Sequence, residues 1–482
     1  MNYKAVFGTL GKTMLIVSAI MALPLLVALY YGENTYFSFI IPIAVTLAIG
    51  VPLSLLKSEE SGIYAREGFV IVALCWIVFS LIGALPFVVD GCLPDYASAV
   101  FESVSGFTTT GATVFSDVEI LPKSILFWRA LMHYVGGMGV LVFVLSIIPN
   151  YNEGTMHIFR AESPGPSVDK LVSKLKFTTR ILYAIYIGMT IIETVLLLVG
   201  GMPFFDSVCH AMSTAGTGGF GIKNQSIAYY NSPYIETVIA VFMFLFGVNF
   251  NVYYLSLAGS FRKAIKSEEL KLYSAIVFIA TLIITINLLS VYHNFATALR
   301  ISFFQVTSIV STTGFYTADY DLLFPTLSKC VLFFLMITGA SSGSTGGGIK
   351  VSRIGILAKS SFLEIKKAVR SRAVVKVKFE GQTIDSDSRK SVFSFFAIWA
   401  MIIILVTFLL SFDPLGDLLT NLSASVTCFS NCGPGFNAVG PVLNYGGFSA
   451  FSKLILSLEM LAGRLEIIPI AVLFFPSVWK KR

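Results

Sequence analysis

Charged residues are scarce in this sequence. Only 13% of its 482 residues are Asp, Glu, Lys or Arg, which is roughly half the share found in soluble globular proteins. Hydrophobic residues make up 55%, and the mean hydropathy is +0.80. Because so few polar side chains cannot cover a water-exposed surface, the composition excludes an ordinary soluble protein and indicates a membrane protein with several spans.

Cysteine and histidine are also few, and their spacing argues against metal and catalytic sites. No two of the six cysteines are separated by two residues, as a zinc or redox motif requires. The four histidines are scattered and form no HExxH motif. We therefore expect that the protein is not an enzyme and carries no organic cofactor, with a membrane-embedded enzyme as the remote alternative.

The first two apolar stretches, 13–31 and 36–56, are each long enough to cross a bilayer as a helix. The first could instead be the apolar part of a signal peptide, but no convincing small-x-small cleavage site follows it. The link between the stretches contains no basic residue. Residues 1–66 are therefore predicted to form an N-terminal transmembrane hairpin.

The rest of the sequence repeats one four-part pattern: an apolar span, a shorter amphiphilic segment, a glycine-containing loop and a second apolar span. The pattern predicts four units with the boundaries 67–150, 151–258, 259–370 and 371–482. The short segments lie at about 95–107, 204–214, 297–310 and 416–428. The second spans lie at about 124–148, 233–258, 325–348 and 449–476.

The short segments cannot cross a membrane, so we interpret them as re-entrant pore helices. Irregular backbone at membrane depth is tolerated where protein or a water-filled cavity surrounds it. The C-terminus of each helix would point the negative end of its dipole at the loop, which favours a cation. The predicted fold class is an all-α polytopic membrane protein with four membrane-pore-membrane repeats around one pore, plus the N-terminal hairpin.

The loops carry the candidate ion site. Glycine reaches backbone angles that turn carbonyl oxygens toward a common axis, where they can replace the water around a dehydrated cation. One Thr-Gly pair would be ordinary turn chemistry, but four loops in the same relative place indicate a filter. The second loop has Gly216 as well as Gly218 and Gly219, which leaves its register open, and the fourth has a cysteine in place of threonine. The candidate filter residues are Thr110, Gly111, Thr217, Gly218, Thr313, Gly314, Asn431, Cys432 and Gly433.

A glycine-rich segment interrupts the second span of the third unit. Each of its five glycines would cost a helix about 1 kcal/mol relative to alanine, so we predict a broken helix that could lie across an ion path and act as a gate. A phosphate-binding loop is disfavoured, because Ile349 separates the last glycine from the lysine and Val351 follows. The candidate gating residues are Gly339, Gly343, Gly346, Gly347, Gly348 and Lys350.

Arg464 lies inside an apolar span, where a cation is costly and is a functional candidate by default. It could be a barrier that repels ions below the filter. It could equally pair with an acid such as Glu466 and hold helices together. The sequence leaves both interpretations open.

Basic residues predict the orientation. Most of the 34 Lys and Arg residues fall in segments that face the cytoplasm if the N-terminus does, as the positive-inside rule requires. Both termini are therefore predicted to be cytoplasmic. The net charge of +7 reflects this orientation and lipid contact, so no nucleic acid is expected. The basic loop 350–390 could dock a cytoplasmic partner through Lys366, Lys367, Arg370 and Arg372, or could be only an orientation signal.

These motifs resemble the Trk/Ktr/HKT superfamily of potassium transporters, most closely its bacterial Trk branch. The N-terminal hairpin favours the Trk branch, because Ktr membrane subunits typically lack it. The resemblance rests on residues 107–113, 136–139, 161–166, 343–350, 431–435 and 463–466.

The resemblance implies potassium uptake across the bacterial cytoplasmic (inner) membrane through a gated, channel-like pore. Potassium would be the transported ion, bound at the filter residues, with the gating loop and Arg464 below them. A homodimer is implied, controlled by a cytosolic nucleotide-binding regulatory subunit of the TrkA type. A potassium symporter coupled to protons or sodium is the alternative.

Overall fold

The computed structural model describes residues 1–56, 65–139, 175–369 and 376–480. Within these ranges the chain is mostly helical, and its one sheet is a two-stranded antiparallel hairpin of Lys378–Phe379 and Gln382–Thr383. The motif at 161–166 and the basic residues Arg370 and Arg372 lie outside the described residues.

The chain begins with two apolar helices, α1 (Tyr3–Tyr31) and α2 (Phe37–Ser54), which pack against each other. Gly32, in a left-handed conformation, ends α1, and a 3-10 turn at Asn34–Tyr36 leads into α2. The N-terminal amino group donates a hydrogen bond to the carbonyl of Lys480, 3.1 Å away. The two ends of the chain therefore lie together.

Four successive stretches then share one order of elements: a long helix, a short buried helix, a loop and a second apolar helix. The first contains α3 (Ala65–Gly83), α4 (Leu85–Asp90), α5 (Tyr96–Phe107) and α6 (Lys123–Gly137). The second contains α7 (Leu175–Val199), α8 (Phe204–Ala215), a 3-10 turn (Ser226–Tyr230), α9 (Pro233–Phe246) and α10 (Phe250–Leu257).

After α11 (Phe261–Lys266) comes the third stretch, with α12 (Glu268–Tyr292), α13 (Phe295–Val310), α14 (Tyr320–Leu323), α15 (Thr326–Thr338) and α16 (Val351–Val369). The fourth follows the β-hairpin and contains α17 (Ser386–Leu410), α18 (Leu418–Ser430), a 3-10 turn (Asn437–Val439), α19 (Ala450–Arg464), α20 (Ile468–Leu473) and α21 (Pro476–Trp479).

Among the described residues, six helical segments are long and apolar enough to cross a membrane, or seven if the bent pair α9–α10 counts as one. The expected break after α15 is present. The expectation that the other second spans are continuous is wrong: α6 ends at Gly137, α9 and α10 meet at 88°, and α19 ends at Arg464. A hydropathy window averages over such short interruptions, so the sequence pattern missed them.

The short helices α5, α8, α13 and α18 lie where the sequence pattern predicts them and are buried along most of their length. Three begin at a side-chain cap, because Asp95, Asn294 and Asp417 accept hydrogen bonds from backbone N–H groups of the first turn. The fourth begins after Pro203. The longer helices around them provide the apolar cover that lets such short helices stay buried.

Candidate functional site

The loops after α5, α8, α13 and α18, called loops 1 to 4 here, share one backbone conformation. Each has a left-handed residue that is not glycine, followed two positions later by a glycine with positive φ. The left-handed residues are Thr109, Thr217, Thr312 and Asn431, with φ of 55°, 53°, 61° and 55°. The glycines are Gly111, Gly219, Gly314 and Gly433, with φ of 82°, 79°, 88° and 85°.

This conformation gives loop 2 a register one residue away from the expected one. Gly219, not Gly218, has the backbone of Gly111, because Gly218 is absent from the positive-φ residues of the described chain. Gly218 instead occupies the place of Thr110, and Thr217 that of Thr109. The Thr217-Gly218 dipeptide suggested that Gly218 corresponds to Gly111, but the backbone torsion angles show that Gly219 does.

The four loops contact one another in a closed cycle. At each loop, a Cβ placed on the positive-φ glycine would run into the carbonyl oxygen of the residue before the equivalent glycine in the next loop. The approaches are Gly111 to Gly218 (1.9 Å), Gly219 to Thr313 (1.9 Å), Gly314 to Cys432 (2.6 Å) and Gly433 to Thr110 (2.6 Å). Loop 4 thus returns to loop 1, and we call the four carbonyls and four glycines the ring.

The ends of the short helices add a favourable field for a cation. The C-caps of α5, α8, α13 and α18 are residues of the loops themselves: Thr108, Gly216, Ser311 and Asn431. Each helix C-terminus carries a partial negative charge from its unpaired carbonyls. Four such ends meet at the ring without placing a carboxylate in it.

A buried ion pair braces loops 1 and 2. Nε of Arg129, on α6, lies 2.8 Å from a carboxylate oxygen of Glu102, on α5, and both side chains are almost completely buried. Glu102 also accepts hydrogen bonds from Thr113 Oγ1 and from the Val114 N–H of loop 1. Arg129 donates to the carbonyl of Gly221 in loop 2 at 3.1 Å. Sequence reasoning overlooked Arg129, although a cation inside an expected apolar span was a usable signal.

The glycine-rich segment, residues 339–350, folds back on itself. The N–H of Lys350 donates to the carbonyl of Thr338 at 3.0 Å, and that of Val351 to the carbonyl of Ala340 at 3.0 Å. Left-handed angles at Gly339, Gly343 and Gly348 make this reversal possible. The end of α15 and the start of α16 are therefore held side by side, with the segment projecting between them.

The same segment lies directly against loops 3 and 4. The N–H of Gly347 donates to Thr312 Oγ1 in loop 3 at 2.8 Å. A Cβ on Gly347 would lie 2.3 Å from the carbonyl oxygen of Ser430, at the end of α18. The segment is thus in contact with the parts of loops 3 and 4 that precede the ring carbonyls.

Two cavities adjoin this assembly. The larger, of about 200 Å³, is lined by all four ring glycines and by Tyr445. The smaller, of about 140 Å³, is lined by Lys350, Arg464 and several glycines of the 339–350 segment. The 339–350 segment therefore contacts loops 3 and 4 and also lines the smaller cavity.

Arg464 ties three elements together beneath the ring. Its Nη1 donates to the carbonyl of Thr345 at 2.8 Å, and its Nη2 to the carbonyls of Gly136 at 2.6 Å and Gly137 at 2.8 Å. The arginine therefore joins the glycine-rich segment to the end of α6. Glu466, the acid considered as its partner, forms an ion pair with Lys350 at 3.2 Å and accepts a hydrogen bond from Arg353.

Two further contacts anchor the segment from its other side. Glu269, at the start of α12, accepts the N–H of Ser342 at 2.7 Å and the Nδ2 of Asn249 at 3.2 Å. The N–H of Phe250 donates to the carbonyl of Gly343 at 3.0 Å. The break between α9 and α10 therefore supplies partners for the segment. No feature of the sequence singled out Glu269.

The structure thus places seven of the nine candidate filter residues in the ring, while Thr217 and Asn431 are the left-handed residues just before it and Gly219 takes the place expected for Gly218. The candidate gating residues contact loops 3 and 4, and Arg464 contacts the gating segment. The basic residues Lys366 and Lys367 lie apart from this assembly, at the end of α16. No three His, Cys, Asp or Glu side chains among the described residues are grouped as a metal site would require.

Comparison with known proteins gives consistent matches over the whole chain. A family model named TrkH and described as a cation transport protein matches residues 36–481. The Trk system potassium uptake protein TrkH of Salmonella typhimurium is 35% identical over 493 residues, covering 100% of both chains. The Trk system potassium uptake protein TrkG of Escherichia coli K12 is 34% identical, covering 95% of this chain and 94% of its own. The crystal structure of the potassium transporter TrkH from Vibrio parahaemolyticus superimposes with a TM-score of 0.90 at 30% identity, covering 100% of both chains.

Proposed function

The chain belongs to the TrkH family of cation transport proteins, and from that membership we propose that it takes up potassium across the bacterial cytoplasmic membrane as the membrane subunit of a Trk system. The named relatives are potassium uptake proteins, which form a transporter family rather than a family of enzymes. Potassium is then the cargo of the chain, and transport requires a path through it.

The ring is the potassium filter in this proposal. The observation that carries it is the closed cycle of glycine-to-carbonyl approaches, which groups the carbonyls of Thr110, Gly218, Thr313 and Cys432. Neutral carbonyl oxygens can replace the hydration shell of a potassium ion, and the four helix ends favour its charge. One ring offers fewer stacked sites than the Thr-Val-Gly-Tyr-Gly filter of potassium channels, so we expect weaker discrimination against sodium.

The architecture follows from the same proposal. The four stretches are membrane-pore-membrane repeats around the ring, and α1 and α2 form an additional hairpin. The larger cavity is the outer mouth, and the smaller cavity opens toward the cytoplasm. Both chain termini are cytoplasmic, and their contact through Met1 and Lys480 supports placing them on the same side.

The gate in this proposal is the 339–350 segment together with Arg464. The segment covers the inner side of the ring, and the guanidinium places a positive charge where a cation would leave. Opening requires the segment to move away from Thr312 and to give up the bond between Arg464 and Thr345. Arg464 therefore acts both as an electrostatic barrier and as a clasp that holds the closed segment.

Control of the gate is assigned to partners. We infer a homodimer and a cytosolic, nucleotide-binding regulatory subunit of the TrkA type. The start of α12 supports a route for such control, because Glu268 pairs with Lys359 of α16 while the adjacent Glu269 binds the gate segment. A force on the cytoplasmic end of α16 can therefore reach the gate through one turn of α12.

Coupled symport is the second candidate. Glu193, on α7, is completely buried within the part of the chain that would lie in the membrane. A buried intramembrane carboxyl group is a place where a coupled proton could bind. Ion coupling would then use a site outside the ring.

Flux through the purified protein in liposomes tests the proposal and separates the two candidates. We expect passive potassium and rubidium flux, with a current that reverses at the potassium equilibrium potential regardless of pH and sodium. A reversal potential that moves with the proton or sodium gradient would support symport. Absence of potassium flux under every gradient, with the regulatory subunit and its nucleotide present, would refute potassium transport by this chain.

A further inference from the structure

Loop 2 lacks the internal bond that braces two of the other loops. In loop 1 the hydroxyls of Thr108 and Thr110 lie 2.8 Å apart, and in loop 3 those of Ser311 and Thr313 lie 2.7 Å apart. Each pair links the first residue of its loop to the residue that supplies the ring carbonyl. At both of these positions loop 2 has a glycine, Gly216 and Gly218.

His133, from α6 of the first stretch, fills the space that those side chains would take, with its imidazole at Gly218 and its backbone carbonyl at Gly216. A Cβ on Gly218 would lie 2.3 Å from both Cγ and Nδ1 of His133. A Cβ on Gly216 would lie 2.2 Å from the backbone oxygen of the same residue. The ring of Phe220, in loop 2, stacks on the imidazole with centroids 4.2 Å apart and planes 24° apart. Loop 2 is therefore wrapped around one residue of a neighbouring unit.

Hydrogen bonds fix the orientation of this imidazole. Nδ1 lies 2.8 Å from Ser213 Oγ on α8, and the N–H of Phe220 points at the same nitrogen from 3.4 Å. Because a backbone N–H can only donate, Nδ1 is the acceptor and the ring proton sits on Nε2. His133 is completely buried. It cannot turn without breaking its hydrogen bonds to α8 and to loop 2.

We propose that His133 is a positioning residue of the ring, which supports the Gly218 carbonyl from behind and so maintains the preference for potassium over sodium. It does for loop 2 what the hydroxyl pairs do for loops 1 and 3. A loop that can relax toward the ion would adapt its carbonyls to the smaller sodium ion, so stiffness at Gly218 favours potassium. The inference deepens the proposed function and rests on the ring being the filter.

A double-mutant cycle between positions 133 and 218 tests this role. Gly218 lacks a positive φ, so a threonine there is limited mainly by its contact with the imidazole. We expect Gly218→Thr alone to lower the potassium-to-sodium permeability ratio about tenfold, in line with the usual cost of overpacking a buried site. His133→Ala alone, which removes the support, is expected to lower the ratio by a similar factor.

The double variant is the decisive arm. In it, the side chain of the threonine at 218 enters the space that the imidazole vacated and supports the ring carbonyl by packing, since Gly216 offers no hydroxyl for it to pair with. We expect the ratio to return to within about threefold of wild type, a strongly non-additive result for two residues in contact. His293→Ala, at the exposed end of α12, is the matched histidine control and should leave the ratio unchanged.

The outcomes separate this inference from the proposed function. The role of His133 would be overturned by either of two results. One is a wild-type potassium-to-sodium permeability ratio in His133→Ala. The other is a ratio in the double variant that is as low as in the less selective single variant. If a single variant does not fold, the double variant alone decides by the same criterion. If the wild-type protein instead conducts sodium and potassium equally, the ring is not a potassium filter.

Discussion

Four glycines of the ring exclude a side chain for two reasons at once. Gly111, Gly219, Gly314 and Gly433 have left-handed backbones, and a Cβ on any of them would meet a carbonyl oxygen of the neighbouring loop at 2.6 Å or less. A left-handed backbone alone costs a residue with a side chain about 1–2 kcal/mol. The collision adds to that cost and pushes a ring carbonyl out of place.

A comparison within loop 2 tests the register that the torsion angles indicate. We expect Gly219→Ala to reduce potassium flux at least tenfold, since the methyl group would displace the carbonyl of Thr313, its nearest neighbour at 1.9 Å. Gly188→Ala is the control, because that glycine lies inside α7 with no atom within 4 Å of an added Cβ. Fluxes measured in liposomes would contradict the register if Gly219→Ala behaved like Gly188→Ala.

The register of loop 2 could not be predicted from the sequence. The sequence pattern correctly located all four loops, because a short glycine-containing segment between apolar spans can be recognised in a single sequence. It could not decide between Gly218 and Gly219, since both glycines follow a threonine closely and only φ distinguishes them. His133 was equally hidden, because its partner loop lies more than 80 residues away and nothing near it in sequence indicates the contact.

We predict that the buried Glu102–Arg129 ion pair contributes strongly to the stability of the fold around loops 1 and 2. Glu102→Ala leaves the Arg129 guanidinium buried without its carboxylate, a change that typically costs about 3–5 kcal/mol. Thermal unfolding in detergent should show a large fall in stability. Lys223→Ala, which removes the partly exposed pair with Glu119, is the control and should cost at most about 1 kcal/mol. Equal shifts for the two variants would argue against this account.

At the scale of elements, none of the four second spans is one continuous helix in the described residues. The sequence predicted the break after α15 because five glycines are visible there, but it missed those after α6, α9 and α19. These depend on one or two residues, such as Gly247 and Asn249, whose cost an apolar window hides. The interruptions have a physical use, because the carbonyls they free at Gly136 and Gly137 become the partners of Arg464.

The clasp role of Arg464 predicts a leak when the arginine is removed. Arg464→Ala deletes its bond to Thr345 and its positive charge, so potassium flux without the regulatory subunit should rise at least several-fold. Arg464→Lys retains the charge but cannot reach three carbonyls with the geometry of a guanidinium. It should leak less than the alanine variant if charge dominates, and equally if the clasp dominates. Basal flux at the wild-type level in both variants would rule out Arg464 both as an electrostatic barrier and as a clasp for the segment.

Glu269 offers a sharper test of the gate, because its neighbour provides a matched control. Glu269→Ala removes the acceptor for the Ser342 N–H and for Asn249, which should loosen the 339–350 segment and raise basal flux. Glu268→Ala alters an adjacent, partly exposed carboxylate that pairs with Lys359 and not with the segment. Basal flux without the regulatory subunit, and proteolysis of the segment, should change in the first variant only. Indistinguishable variants would show that Glu269 does not hold the gate.

For the whole molecule, the ring gives a reason why four stretches with different sequences share one order of elements. Each stretch contributes one carbonyl and one glycine, and no loop closes the cycle without its neighbours. The long helices and short buried helices could be predicted from hydropathy and length, since burial in a membrane leaves a strong compositional signal. The cyclic order of the loops could not, because it is a property of contacts between stretches and not of any one of them.

The measurement that bears most directly on the central claim is the bi-ionic reversal potential of the reconstituted protein, with potassium on one side and sodium on the other. Wild type should be potassium-selective, though less strictly than channels with several stacked sites. In Gly314→Ser the new side chain would displace the Cys432 carbonyl, 2.6 Å from its Cβ, and the potential should shift toward the sodium equilibrium potential. A conducting Gly314→Ser variant with wild-type selectivity would contradict the assignment of the ring as the filter.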